Sequence, residues 1–245
     1  MRILVANANT TAAITEACVR AARAAASPGT EILGATPAFG PRVISTRPEN
    51  VIAGHALLET LAAHAGQVDA VVLAVSHDTA LEAARQLMPC PVVGMTEAAC
   101  LTACMLGGRF GLVAFGVGIG SYEELVARHG LATRCVGVRR IAATPVDALA
   151  DPAAVQARVL EEVAVLAGQG ADAVVLAGAA LAGMNRALQP RAPVPLVDGI
   201  ACGVRMAEML VALGLPKPGA GGYAAPRGRE AVGVSDALGA LLRGG

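Results

Sequence analysis

The richest short run of reactive side chains in this chain is Val75-Ser76-His77-Asp78-Thr79. It directly follows the apolar segment Ala70-Val71-Val72-Leu73-Ala74. His77 titrates in the range useful to a single general acid or base. Ser76 can hydrogen-bond a carboxylate or another anionic oxygen. Asp78 suits the cap of the next helix, where a short carboxylate accepts from free backbone N–H groups. Neighbours in sequence point apart, so the three do not form a triad. Ser76 also lacks the Gly-x-Ser-x-Gly frame of a nucleophile elbow, which disfavours a serine hydrolase. A second polar run, Asn7, Asn9, Thr10 and Thr11, follows the apolar Ile3–Ala6 and offers neutral donors for a carboxylate or amide.

The elements that must carry these residues are written twice. Asp69-Ala70-Val71-Val72-Leu73-Ala74 recurs 103 residues later as Asp172-Ala173-Val174-Val175-Leu176-Ala177. Leu4-Val5-Ala6 has a counterpart in Leu112-Val113-Ala114, and Pro91-Val92-Val93 a looser one in Pro195-Leu196-Val197. Ordered matches at nearly one offset indicate a duplicated unit of about a hundred residues. Within each copy, short β-branched runs alternate with Ala-rich helical stretches, the pattern of βαβ crossovers and parallel sheets. Strands are expected at 2–6, 31–34, 70–75, 91–94, 110–114, 173–177 and 195–197. Helices are expected at 11–26, 50–65, 79–87, 96–106, 122–129, 151–168 and 199–213. The expected fold is α/β, with two similar parallel-sheet lobes related by a pseudo-twofold axis and a ligand cleft between them. Residues 1–95 plus 208–245 would form the first lobe and 96–207 the second.

Ligands of parallel sheets sit beyond the carboxyl ends of the strands. The segments 7–11, 75–79, 115–120 and 178–183 should therefore face the cleft. Under the repeat, Gly178 is the mate of Val75. Gly178-Ala179-Ala180 offers backbone N–H groups that can hold an anion. The glycines after Phe115 allow close approach of backbone to a ligand, but they lack the Gly-x-Gly-x-x-Gly spacing of a dinucleotide loop. The Gly/Pro-rich stretch 216–229 is either a lid that brings Tyr223 to the ligand or an exposed connection.

Composition narrows the partners. Nineteen basic residues balance nineteen acidic ones, and aromatics are only 2% with no Trp. Neither a charge field nor a stacking surface for nucleic acid is present. The apolar run near Met1 is too short for a signal-peptide core, and no stretch of about 20 apolar residues could span a membrane. A cytoplasmic chain is expected, with the six cysteines reduced. Cys100 and Cys104 read as small buried hydrophobes rather than metal ligands, and no metal site is expected. His55, His64 and His129 read as surface or helix-end residues.

Several motifs together resemble the aspartate/glutamate/hydantoin racemase superfamily, and most closely its hydantoin and allantoin racemase branch. They are Met1-Arg2-Ile3-Leu4-Val5 with Asn7-x-Asn9-Thr10, Gly40-Pro41, Pro91-Val92-Val93-Gly94 with Glu97-Ala98-Ala99, Asp198-Gly199 and Tyr223-Ala224-Ala225-Pro226. The resemblance implies a pseudo-twofold enzyme without a cofactor. It acts at the carbon alpha to a carbonyl of an amino acid, hydantoin or dicarboxylate. It also implies one cysteine on each lobe, one thiolate removing a proton and the other thiol returning it on the opposite face. The matching positions here are Val75 and Gly178, and neither can move a proton. Two-thiol racemisation is therefore not expected. Decarboxylase, lyase or isomerase chemistry with one proton-transfer group is expected instead; the resemblance extends to arylmalonate decarboxylase, which uses a single thiol as proton donor, and to maleate isomerase. The alternative is a non-catalytic protein that binds a small carboxylate.

The residues expected to do chemistry are His77 and Ser76. Those expected to touch a small carboxylate or cyclic amide are Asn7, Asn9, Thr10, Pro41, Val75, Asp78, Phe115, Gly178, Ala179, Ala180 and Tyr223. The protein is expected to be a homo-oligomer.

Overall fold

The computed structural model describes residues 1–115 and 119–244. Three members of the glycine-bearing turn read from the sequence, residues 116–118, lie outside the described residues. The chain forms β1 (Arg2–Ala6), α1 (Ala12–Ala25), β2 (Glu31–Ala35), α2 (Arg47–Ala62), β3 (Ala70–Leu73), α3 (Leu81–Leu87), β4 (Val92–Gly94) and α4 (Met95–Leu106). The second copy runs through β5 (Phe110–Phe115), α5 (Ile119–Arg128), β6 (Cys135–Ile141), α6 (Pro145–Ala150), α7 (Pro152–Gly168), β7 (Ala173–Ala177), α8 (Met184–Leu188), β8 (Leu196–Asp198) and α9 (Gly199–Leu213). A last helix, α10 (Asp236–Arg243), closes the tail against α2.

Both sheets are parallel and four-stranded, and they share one order: β2-β1-β3-β4 and β6-β5-β7-β8. The central strands are buried along their length, which explains why Ala70–Leu73 and Ala173–Ala177 read as unbroken apolar runs. The duplication expected from sequence is thus present in the fold. The turns after β3 and β7 match in detail as well. Ala80 and Gly183 are repeat mates, and both enter the following helix in the left-handed region, at φ 55° and 79°.

Four elements were absent from the sequence reading: β6, α6, α8 and α10. The strand β6 is an edge strand, mostly half-buried and carrying Gly137, Arg139 and Arg140. A strand that buries so little of its surface leaves little apolar periodicity to read.

The two copies exchange their last helices. Ala99, Cys100 and Ala103 of α4 pack with Phe110, Leu112, Val175 and Val197 of the second sheet. Ile200, Val204 and Ala207 of α9 pack with Ile3, Val5, Val72 and Val93 of the first. The residue pair 207/208 lies within α9, whose buried face packs mainly on the first sheet while Cys202 also touches the second cluster. Helix and sheet approach so closely there that a Cβ on Gly203 would stand 2.8 Å from Val72 Cγ1.

Candidate active site

The carboxyl ends of β1, β3, β5 and β7 meet at one cleft of about 520 Å³. Its lining includes Asn9, Val75, Ser76 and His77 from the first sheet's turns, and Phe115, Gly178, Ala179 and Ala180 from the second's. These are eight of the residues singled out from sequence. Val75 and Gly178, the repeat mates, face the same space.

Ser76 and His77 are held from the opposite lobe. The Ser76 hydroxyl lies 2.8 Å from Tyr122 Oη on α5. The His77 ring stacks on Tyr122 with centroids 4.5 Å apart and planes 30° apart. His77 Nε2 lies 3.2 Å from Ser121 Oγ, and Nδ1 is buried with no partner among the described residues. Burial lowers the imidazole pKa below its ordinary 6.5, and the positive charge of Arg128 lowers it further. Burial pushes the Tyr122 phenol up to about 12 against the opposing pull of Ser76, so the phenol stays protonated.

Asn9 contributes one amide. Its Oδ1 accepts from Asn7 Nδ2 and from Thr11 N–H, each at 3.0 Å. Its Nδ2 has no partner among the described residues and is left as a donor at the cleft. On the far wall, Ala179 and Ala180 open a short 3-10 turn. Their backbone N–H groups meet no acceptor among the described residues, as is usual for the first residues of such a turn.

Five residues expected at the ligand stand elsewhere. Asn7 is fully buried and spends its side chain on Asn9, Thr15 and Thr11, shaping the turn rather than lining the cleft. Thr10 and Pro41 bind each other, Thr10 N–H donating to the Pro41 carbonyl at 3.0 Å. That contact pins the 36–46 segment, which brings Val43, Ile44 and Ser45 over the cleft. Asp78 is a cap, but not of the next helix. Its carboxylate reaches past β4 to accept from Thr96 N–H at 3.0 Å and Glu97 N–H at 2.8 Å, the N-terminus of α4. Tyr223 lines a separate groove with Arg85, Cys90 and Leu215 that shares no residue with the cleft. The tail is fixed there because Lys217 Nζ donates to the carbonyls of Arg85 and Met88 at the end of α3, at 2.6 and 2.7 Å. The 36–46 segment, and not the tail, stands over the cleft.

His129 stands at a helix end as expected, but its side chain is not on the surface. It stands just past the end of α5 with its side chain mostly covered, bonding Asp78 Oδ2 at 3.2 Å, with Glu97 Oε1 3.6 Å from its other nitrogen. The lining residues not foreseen are Ile14, Val43, Ile44, Ser45, Tyr122 and Ala177. Tyr122 and Ile14 could have been located from the duplication, because each stands ten residues after the matched Leu112 and Leu4.

None of the six cysteines lines the cleft. Cys18 Sγ donates to the Ala179 carbonyl at 3.5 Å, and burial pushes its thiol up to about 12, far from a thiolate at neutral pH. Among the described residues, no group of three or more His, Cys, Asp or Glu side chains is placed to hold a metal ion.

Residues 3–207 match the Asp/Glu/Hydantoin racemase family. The chain belongs to this family. A hydantoin racemase of Pseudomonas sp. (strain NS671) is 31% identical over 242 residues, 98% of this chain and 97% of that protein. The crystal structure of allantoin racemase from Pseudomonas fluorescens superposes with a TM-score of 0.91 at 35% identity, covering 95% of this chain and all of that one. Allantoin racemase from Klebsiella pneumoniae gives the same TM-score at 36% identity, over 97% of this chain and 98% of that one. The two-lobed fold of this family member thus matches those relatives nearly end to end. Among the described residues no helix is long and apolar enough to cross a membrane.

Proposed function

We propose that this chain is an enzyme that moves a proton at the carbon alpha to a carbonyl of a small cyclic amide of the hydantoin kind, or of a related carboxylate, from one face only. A single observation carries the reading: the two walls of the cleft are repeat mates with unlike chemistry. Ser76 faces its mate Ala179, His77 its mate Ala180, and Tyr122 its mate Ile14. Ser76, His77 and Tyr122 each have a hydrocarbon as repeat mate in the same cleft. Two-base racemisation needs a proton carrier on each wall, and Val75 and Gly178 supply none.

In the tautomer that donates Nε2–H to Ser121, His77 carries its lone pair on Nδ1, which is buried in the ligand-free cleft and meets the alpha carbon only after the ring turns toward the substrate; the depressed pKa keeps the ring neutral near pH 7. In the proposed step the imidazole takes the alpha proton and the C–H electron pair moves into the adjacent carbonyl. The resulting enolate oxygen is held by hydrogen-bond donors in place before reaction, the Ala179 and Ala180 N–H groups. The imidazolium then returns a proton to the same carbon and the same face. The cleft lining holds no charged side chain, which suits a neutral or weakly acidic ring better than a dianion.

The missing thiols also favour a second reading, a non-catalytic protein binding the same ligands. Deuterium uptake at the alpha carbon of single-enantiomer hydantoins in D₂O separates the two. Exchange with retained configuration, lost in His77→Ala, supports the enzyme. Binding without exchange supports the binder, and inversion as fast as exchange removes the one-sided mechanism.

A further inference from the structure

The cleft does not end at His77. His77 and Ser45 also line an outer chamber of about 1830 Å³, walled by Thr46, Arg47, Asn50, Val51, Gly120, Ser121, Glu124, Ala127 and Arg128. A ligand whose ring lies on the inner wall can pass a substituent over these two side chains without crossing any other element.

The two spaces differ in charge. The inner lining is formally neutral, whereas the outer one holds two arginines and one glutamate. Arg47 and Glu124 are paired at 2.7 Å across the lobes and cancel. Arg128 makes no hydrogen bond or ion pair among the described residues; Glu124 feels its charge but is already bonded to Arg47. The side-chain oxygen of Asn50 accepts from Thr79 Oγ1 at 2.6 Å, which leaves its amide nitrogen as a second donor into the chamber without a partner among the described residues.

The geometry points to Arg128 as a specificity-determining residue: the substrate is a ring with an arm, the ring against Ser76, His77 and Tyr122 and the arm ending in a carboxylate at Arg128. An anionic arm would give Arg128 a bonded partner of its own, and a guanidinium can meet a carboxylate with two parallel N–H donors. Asn50 would supply a further donor to the same group. The inference rests on the reading of the inner cleft as a site for a cyclic amide.

The test is a matched pair of probes, hydantoin-5-propionate and hydantoin-5-propionamide, nearly equal in shape and different in charge. Calorimetric titration of the wild-type chain should show the acid binding about fivefold to tenfold tighter, the gain expected of one charge-assisted contact in a partly open site. Added salt should shrink the gap. Arg128→Gln should erase it while leaving the amide's affinity as in the wild type, and Arg128→Lys should keep part of it. Equal binding of the two probes to the wild type, or a preference that survives in Arg128→Gln, overturns the inference and leaves the proposed function standing. Failure of both probes to bind overturns the two together.

Discussion

Tyr122 and Ser76 are hydrogen-bonded at 2.8 Å across the boundary between the two lobes. One residue comes from the turn after β3 and the other from α5, so a contact between repeats fixes the polar wall of the cleft. Tyr122→Phe keeps the ring on which His77 rests and removes only the hydroxyl. Alpha-proton exchange should fall about tenfold, and urea unfolding should show a loss of about 1 kcal/mol, the worth of one part-buried hydrogen bond. A rise in KM with kcat unchanged would mark the hydroxyl as a participant in binding.

Restoring sulfur tests the one-sided mechanism from the other direction. Val75→Cys or Gly178→Cys alone should not add inversion, because one wall would still lack a proton carrier. The double variant should convert exchange with retention into racemisation, read by chiral chromatography in D₂O. A Cβ at 178 would meet Leu181 at 3.2 Å and Phe115 at 3.3 Å, so these side chains must shift slightly. That crowding should cost about 1 kcal/mol or a little more.

The pH profile follows from His77. Its pKa is lowered by burial and then by Arg128, and the neutral ring is the active form. kcat/KM should fall as pH drops, with a midpoint below the ordinary histidine value of 6.5. Arg128→Gln removes the nearby positive charge and should move that midpoint upward. Stability should have the same sign: the unfolded chain takes up the proton first, so folding weakens as pH falls from about 6.5 toward the folded-state value.

Gly94 leaves room for the Asp78 cap. A Cβ there would stand 2.6 Å from the Asp78 carboxylate carbon. Gly94→Ala should expel that carboxylate from the N-terminus of α4 and cost about 1–3 kcal/mol, read by chemical denaturation. The loss should be accompanied by weaker ligand binding, because Asp78 follows His77 directly.

Glu208 on α9 anchors the loop between α1 and β2. Burial would raise its carboxyl, but donors on Thr30 and Ser27 outweigh that and hold it below the ordinary range, with Arg205 helping. Its contribution to stability is present above the unfolded-state carboxyl pKa and disappears as pH falls through the lower folded-state value. Glu208→Gln should lower the urea midpoint at pH 7 and flatten the acid limb of the stability curve.

Much of this was legible because the chain repeats itself. The identical hexapeptides at 69–74 and 172–177 locate the central strands and, with them, both turns that wall the cleft. Other features have no local signature. Asp78 looks like a cap for the adjacent helix, yet its partners are 18 and 19 residues away across a strand. Tyr122 carries no polar signal in its mate, since Ile14 is apolar. The Gly/Pro-rich tail looks as free as a lid, but Lys217 binds it to the carbonyl end of α3, and only the folded chain brings those groups together. The segment actually over the cleft, 36–46, is held by backbone carbonyls of Pro41 and Arg42 that accept from Thr10 and Thr11, and carbonyls leave no trace in residue identity.

The exchange of α4 and α9 has a consequence for how such a duplicated chain can be divided. Severed between residues 107 and 109, the first fragment would carry α4 with an apolar face and no sheet to cover. It would also leave β3 bare where α9 had shielded it. The second fragment would be stripped in the mirror-image way. Each half is therefore an incomplete object, made whole only by the helix its partner half lends it.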